Sequence, residues 1–113
     1  MGGLADYLFG FRAEDKAAKF LEERGFEIVE RNFHSKFGEI DIIARHGDIL
    51  HFVEVKATNK NYETIYRVDQ KKILKIIKTI NFFMLKYNLD LGYEIDAICV
   101  GARGIEFYEN VSV

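Results

Sequence analysis

Two β-rich runs, Glu39–Ile–Asp–Ile–Ile–Ala–Arg45 and Ile49–Leu–His–Phe–Val–Glu–Val–Lys–Ala57, flank His46–Gly47–Asp48, a turn signal of hairpin type. Side chains alternate between the two faces of a strand, so each run divides into two sets. One face takes Ile40, Ile42, Ala44, Val53, Val55 and Ala57; the other takes Asp41, Ile43, Leu50, Phe52, Glu54 and Lys56. Both are apolar enough to need cover, which predicts a central sheet between helices rather than a sheet with one wet side. An even-membered loop, either Gly47–Asp48 alone or His46 to Ile49, sets Arg45 against Leu50 and carries the pairing back to Asp41 opposite Glu54. Cross-strand Cβ atoms lie about 4.5–5.5 Å apart. Asp41, Glu54 and Lys56 are therefore expected to form one cluster on a half-buried face.

The flanking segments supply the helices. From Leu4 to about Arg24, Tyr7, Phe11, Ala18 and Leu21 recur at helical spacing, and Gly25 stands at an expected helix C-cap. Glu14, midway between Tyr7 and Leu21, falls in the middle of that stripe, so a carboxylate points toward the core. Phe26 to Arg31 reads as a short strand, Asn32 to Phe37 as a loop, and Ala57 to Arg67 as a longer loop with no apolar period. Val68 to about Tyr87 is a second helix, with Ile73, Ile76, Ile77, Ile80, Phe83, Met84 and Tyr87 on its apolar side and Lys71, Lys75, Lys78 and Lys86 opposite. Tyr93 to Val100 and Ile105 to Tyr108 close the chain as strands. The order αβββαββ predicts an α/β sandwich, a central mixed sheet flanked by helices, in a single domain over residues 1–113.

Composition narrows the function classes. With 49% hydrophobic and 30% charged residues, the chain is unlike a disordered one. The stretch from Thr79 to Leu85 is its longest uncharged apolar run, far short of the roughly 18 residues of a membrane span. The N-terminus lacks a signal-peptide pattern and Cys99 has no cysteine partner, so a cytoplasmic location is expected, with Cys99 a small core residue. A net charge of −2 gives no global attraction to nucleic acid, and any such role must rest on local charge. The three histidines, His34, His46 and His51, show no metal spacing and read as structural or solvated.

The chemistry lies in Glu14, Asp41, Glu54 and Lys56. Burying several carboxylates without compensation is very unfavourable, and Lys56 neutralises only one. A hard divalent cation fits the remainder, because Mg²⁺ prefers oxygen ligands and binds through one or two carboxylates plus waters and phosphate oxygens. This points to metal-assisted phosphoryl chemistry. Read singly, Glu14 also fits a helix carboxylate satisfied by an arginine, the hairpin trio an ordinary cross-strand ion-pair set, and the lysine stripe a solvated face.

Glu39–Ile–Asp41 followed by Val53–Glu–Val–Lys56, after a helical Glu14, resembles the PD-(D/E)xK nuclease superfamily and its restriction-endonuclease-like fold. More closely, Gly38–Glu–Ile–Asp–Ile–Ile–Ala–Arg45, Phe52–Val–Glu–Val–Lys56, Gly25–Phe26 with Arg31–Asn32, and Ile95–Asp–Ala–Ile–Cys–Val100 resemble the bacterial YraN-like family, itself similar to archaeal Holliday-junction resolvases. The resemblance implies Asp41 and Glu54 as ligands of Mg²⁺ or Mn²⁺, Lys56 as the group that orients or activates water, Glu14 as a further acid, and Gln70–Lys71 as polar residues completing the site. Ile40 replaces the proline of the superfamily's name, and Thr58 stands where family members often carry a basic residue. DNA, branched DNA included, is the implied partner, and two-fold relatives imply a homodimer. Lys71 and Lys75 of the lysine stripe, with Lys60, Tyr62, Tyr66 and Arg67 of the preceding loop, are candidate DNA contacts. The expected function is hydrolysis of a DNA phosphodiester; the alternatives are a nucleic-acid-binding module without turnover and a protein-interaction domain with a vestigial acidic site.

Overall fold

The structure, a computed structural model, describes residues 4–58 and 70–111, with side chains over 12–58 and 71–111. Helix α1 runs Leu4–Glu23 and stops as the glycine signal predicts. Gly25 adopts φ 89°, Gly25 N–H donates to the Glu22 carbonyl and Phe26 N–H to the Leu21 carbonyl, the paired bonds of a left-handed helix cap. Strands β1 (Glu27–Ser35), β2 (Gly38–His46) and β3 (Ile49–Ala57) follow, then helix α2 (Gln70–Lys86) and strands β4 (Gly92–Gly101) and β5 (Gly104–Tyr108). Asn88, at φ 51°, caps α2 in the same way, with Leu89 N–H donating to the Met84 carbonyl at 2.9 Å. The start expected at Val68 lies outside the described residues.

The five strands form one mixed sheet in the order β1-β2-β3-β4-β5, with β3 and β4 parallel and the other neighbours antiparallel. A parallel pair needs a crossover connection, and α2 lies in it. The two helices cover opposite faces. Ala13, Ala17, Ala18 and Leu21 of α1 meet Ile42, Ala44, Val53, Ile98 and Val100. Ile80 and Phe83 of α2 meet Phe33, Ile40, Ile43, Leu50, Phe52 and Ile95. The α1 stripe is built mostly from alanines, and Glu14, its side chain only 12% exposed, falls within the arc between Leu21 and Ala18, as expected. The side chains of Tyr7 and Phe11 lie outside the described residues. Cys99 is buried, as its apolar neighbours predict, and burial pushes its thiol up, away from reactivity.

Two expectations need correction. The segment from Asn32 to Ser35 is strand, not loop, because β2 pairs with β1 as far as Ser35–Gly38. The hairpin turn is Gly47–Asp48, and Arg45 does face Leu50, yet the ladder between β2 and β3 ends at Ile42–Val53 and never reaches Asp41 and Glu54. Ile42 packs under α1 while Ile40 packs under α2, so the two-residue alternation slips at Asp41. Asn32, at φ 54°, stands between two residues of β1 that pair on either side of Asp41, a local departure that lets the strand slip.

Candidate functional site

The slip gives Asp41 an unusual place. Its side chain takes over where the ladder stops: Val55 N–H donates to Asp41 Oδ2 at 2.8 Å. Regular alternation sends Phe52, Glu54 and Lys56 of β3 toward α2 and Val53, Val55 and Ala57 toward α1. Asp41 and Glu54 thereby line the same pocket, of about 80 Å³, together with Glu39, Phe52, Lys72 and Ile76. At about 30 Å³ per water, it has room for an ion with a few waters.

Among the described residues, Asp41 and Glu54 bring carboxylates to this pocket beside Lys72, whereas the Glu39 carboxylate is exposed and lies 3.1 Å from His34 Nδ1. Burial pushes the Asp41 carboxyl up to about 6; the Val55 N–H pulls it down, and the charges of Glu54, Glu14 and Glu39 push it further up. Lys72 Nζ lies 2.6 Å from Glu54 Oε1, and Lys56 Nζ lies 3.9 Å from the same oxygen. Asp41 and Glu54 make an all-oxygen, anionic donor pair, which suits a hard dication such as Mg²⁺ or Mn²⁺.

Glu14 is turned to a different task. Its Oε1 accepts from Arg31 Nε at 3.2 Å and Asn32 Nδ2 at 2.9 Å, while Arg31 also donates to Asp15 at 2.7 Å. It reaches the site as a charge felt by Asp41 and is absent from the pocket lining. Burial opposes the charge on Arg31, but the hydrogen bonds and charges of Asp15 and Glu14 together outweigh it and hold the guanidinium above its ordinary value, so Arg31 compensates that acidic edge. Lys71 and Lys75 lie one turn apart on the exposed side of α2. Gln70 opens the helix, but its side chain, with Lys60, Tyr62, Tyr66 and Arg67, lies outside the described residues.

Lys72 is a site residue that the sequence patterns above do not single out, although they carry a signal for it. Lys72 precedes Ile76 and Ile80 at four-residue steps, so it is a lysine at a sheet-facing position of α2. His51, expected to be structural or solvated, is buried on the α1 face with Nδ1 2.6 Å from Asp96 Oδ2, whereas His34 is exposed beside Glu39 and His46 stacks on Phe26.

Among the described residues, fold and site together define an α/β protein with five mixed strands, two covering helices and an acidic pocket beside the end of the β2–β3 ladder. The family described as uncharacterised protein family UPF0102 matches residues 13–100, and the chain belongs to that family. A UPF0102 protein of Campylobacter fetus subsp. fetus is 66% identical over 110 residues, 97% of this chain and 98% of the relative. UPF0102 proteins of Campylobacter hominis and Campylobacter jejuni subsp. doylei are 53% and 54% identical, spanning 98% and 97% of this chain and 99% and 98% of those relatives. Among the described residues, no helix is long and apolar enough to cross a membrane.

Proposed function

We propose that this protein is a metal-dependent DNA endonuclease of the PD-(D/E)xK type, resolvase-like in its substrate class, on a restriction-endonuclease-like sandwich. The observation that carries the reading is the meeting of Asp41 and Glu54 in one pocket, with the Lys56 ammonium 3.9 Å from Glu54. Asp41 and Glu54 would hold Mg²⁺ or Mn²⁺, which when bound lowers the pKa of water and offsets charge on the phosphate. Asp41 is fixed by the Val55 N–H, so one of its oxygens is already oriented before a cation arrives. Lys56 positions the attacking water and faces the phosphate as a cation. Lys72, 2.6 Å from Glu54, balances the site's negative charge and would have to yield Glu54 to a bound metal. Lys71 and Lys75 contact the DNA backbone. The homodimer belongs to this proposal as well, because a duplex has two strands to cut.

The close Lys72–Glu54 pair favours a second reading, a nucleic-acid-binding module in which the lysine permanently fills the cation position. Single-turnover cleavage of linear duplex, single-stranded, flapped and four-way DNA in Mg²⁺ and Mn²⁺ separates the two. The nuclease reading expects Glu54→Gln to abolish cleavage while binding in EDTA stays equal or tightens, since a negative charge facing the phosphate is gone. Lys56→Ala should retain metal and lose about 10²-fold in rate. Wild-type protein that binds these DNAs but cuts none of them supports the second reading.

A further inference from the structure

On the opposite face of the sheet, under α1, three side chains with metal-binding chemistry converge. The parallel register sets His51 against Glu94 and Val53 against Asp96, so the two carboxylates stand side by side on β4 next to the imidazole. His51 and Asp96 are 4% and 0% exposed, values at which charged groups require partners. His51 Nδ1 lies 2.6 Å from Asp96 Oδ2 and 4.0 Å from Glu94 Oε1, and one ligand atom from each residue lies within 4.8 Å of the others. The pieces are held in place: Phe26 meets the His51 ring edge-on at 4.9 Å, and Asn110 N–H donates to the second Asp96 oxygen at 2.8 Å. Charge there is unbalanced toward the negative. Glu109 lines the adjoining hollow with Glu94, so a further carboxylate stands near the pair. Arg24 lines the adjoining hollow, but its guanidinium lies 4.0 Å over the Phe20 ring.

We infer that His51, Glu94 and Asp96 form a second metal site, for a borderline first-row dication of the Zn²⁺ type, beside a hollow of about 330 Å³ that His51 and Glu94 line. One imidazole nitrogen with two carboxylates suits Zn²⁺, Co²⁺ or Mn²⁺, whereas the all-oxygen pocket around Asp41 suits Mg²⁺. Metal–ligand bonds of about 2.0–2.2 Å in tetrahedral geometry separate ligand atoms by roughly 3.4 Å. The 2.6 Å pair must open and the 4.0 Å pair must close, each by less than about 1 Å, to reach that spacing. The metal replaces the proton on His51 Nδ1, which leaves to solvent. The hollow leaves space for a water as fourth ligand. Because Asp96 also holds the Asn110 N–H, and Val111 N–H donates to the Ile95 carbonyl at 2.7 Å, the occupied site ties β3, β4 and residues 110–111 together.

This site is independent of the nuclease reading, and its test is arranged to stay so. The chelator-stripped full chain, in millimolar Mg²⁺ to supply the Asp41 pocket, is titrated with Co²⁺ while its visible absorption is followed, then with Zn²⁺ in competition. Imidazole ¹⁵N shifts report which histidine is bound. The expected result is saturation near one equivalent, a shift at His51 Nδ1 and none at His34 or His46. Glu94→Gln should weaken binding by at least about 10-fold, and Glu54→Gln should leave it unchanged. His51→Phe, which keeps a ring beneath Phe26, should abolish it; if that variant does not fold, Glu94→Gln decides alone. No Co²⁺ absorption, a shift at another histidine, or wild-type affinity in Glu94→Gln overturns the assignment.

Discussion

Asp41 concentrates the physical cost of the acidic pocket in one side chain. Its carboxyl is pushed up to about 6 from an ordinary 3.8, chiefly by burial. Between those values the native protein keeps a proton that the unfolded chain has released, so this group's contribution to stability falls as pH rises through that window. Asp41→Asn keeps an oxygen for the Val55 N–H and removes the charge. It should therefore stabilise the metal-free protein at pH 8 by on the order of 1 kcal/mol and change little at pH 4. Urea unfolding in EDTA at the two pH values checks this, and an equal effect at both would remove burial of the charge as the cause. Lys72 gives a second residue-scale prediction. At 2.6 Å from Glu54, against 3.9 Å for Lys56, it is the stronger competitor for an incoming cation. Calorimetric Mn²⁺ titration should show tighter binding for Lys72→Ala and a smaller change for Lys56→Ala; the reverse order would place the competing charge on Lys56.

Helix α2 is the element that both seals one core and delivers Lys72 to the pocket. Phe83, 1% exposed, meets Phe33 and Phe52 nearly edge-on at centroid distances of 5.1 and 5.7 Å. Two residues further on, Leu85 is 82% exposed. Hydrophobicity alone does not separate the two; their position in the 3.6-residue turn does. Phe83→Ala should cost about 3–5 kcal/mol, whereas Leu85→Lys should stay within about 0.5 kcal/mol. Denaturant midpoints for the two variants test this, and a large loss from Leu85→Lys would mean that this face of α2 is covered in solution. The caps repeat the point. Gly25 and Asn88 both take positive φ at a helix end, and both are residue types that tolerate it.

For the molecule as a whole, the proposed nuclease reading with a net charge of −2 requires that DNA be held by local cations against a mildly repulsive background. Each phosphate neutralised by a lysine contributes about 0.9 to the slope of log affinity against log salt. Lys71→Ala and Lys75→Ala should each lower that slope by nearly 1 on four-way DNA in EDTA, with little dependence on sequence. Fluorescence anisotropy over a salt series measures it. Unchanged slopes would exclude this side of α2 as the proposed DNA contact.

Periodicity and spacing were enough to read the hairpin around Gly47, both long helices, their order and the burial of both sheet faces, because each depends on residues a few positions apart. That Asp41 and Glu54 would meet was legible in the spacing, although the expected cross-strand pairing is not what joins them: the ladder stops at Ile42–Val53. Packing decided the rest. The slip that sets Asp41 against the Val55 N–H depends on Asn32 and β1, and Glu14 is diverted by Arg31, a residue 17 positions away that a helical wheel does not contain. The meeting of His51 with Asp96, 45 residues apart, follows from the parallel register of β3 and β4. That register is set by how α2 lies across the sheet, a long-range balance of buried surface that leaves no repeat in the chain.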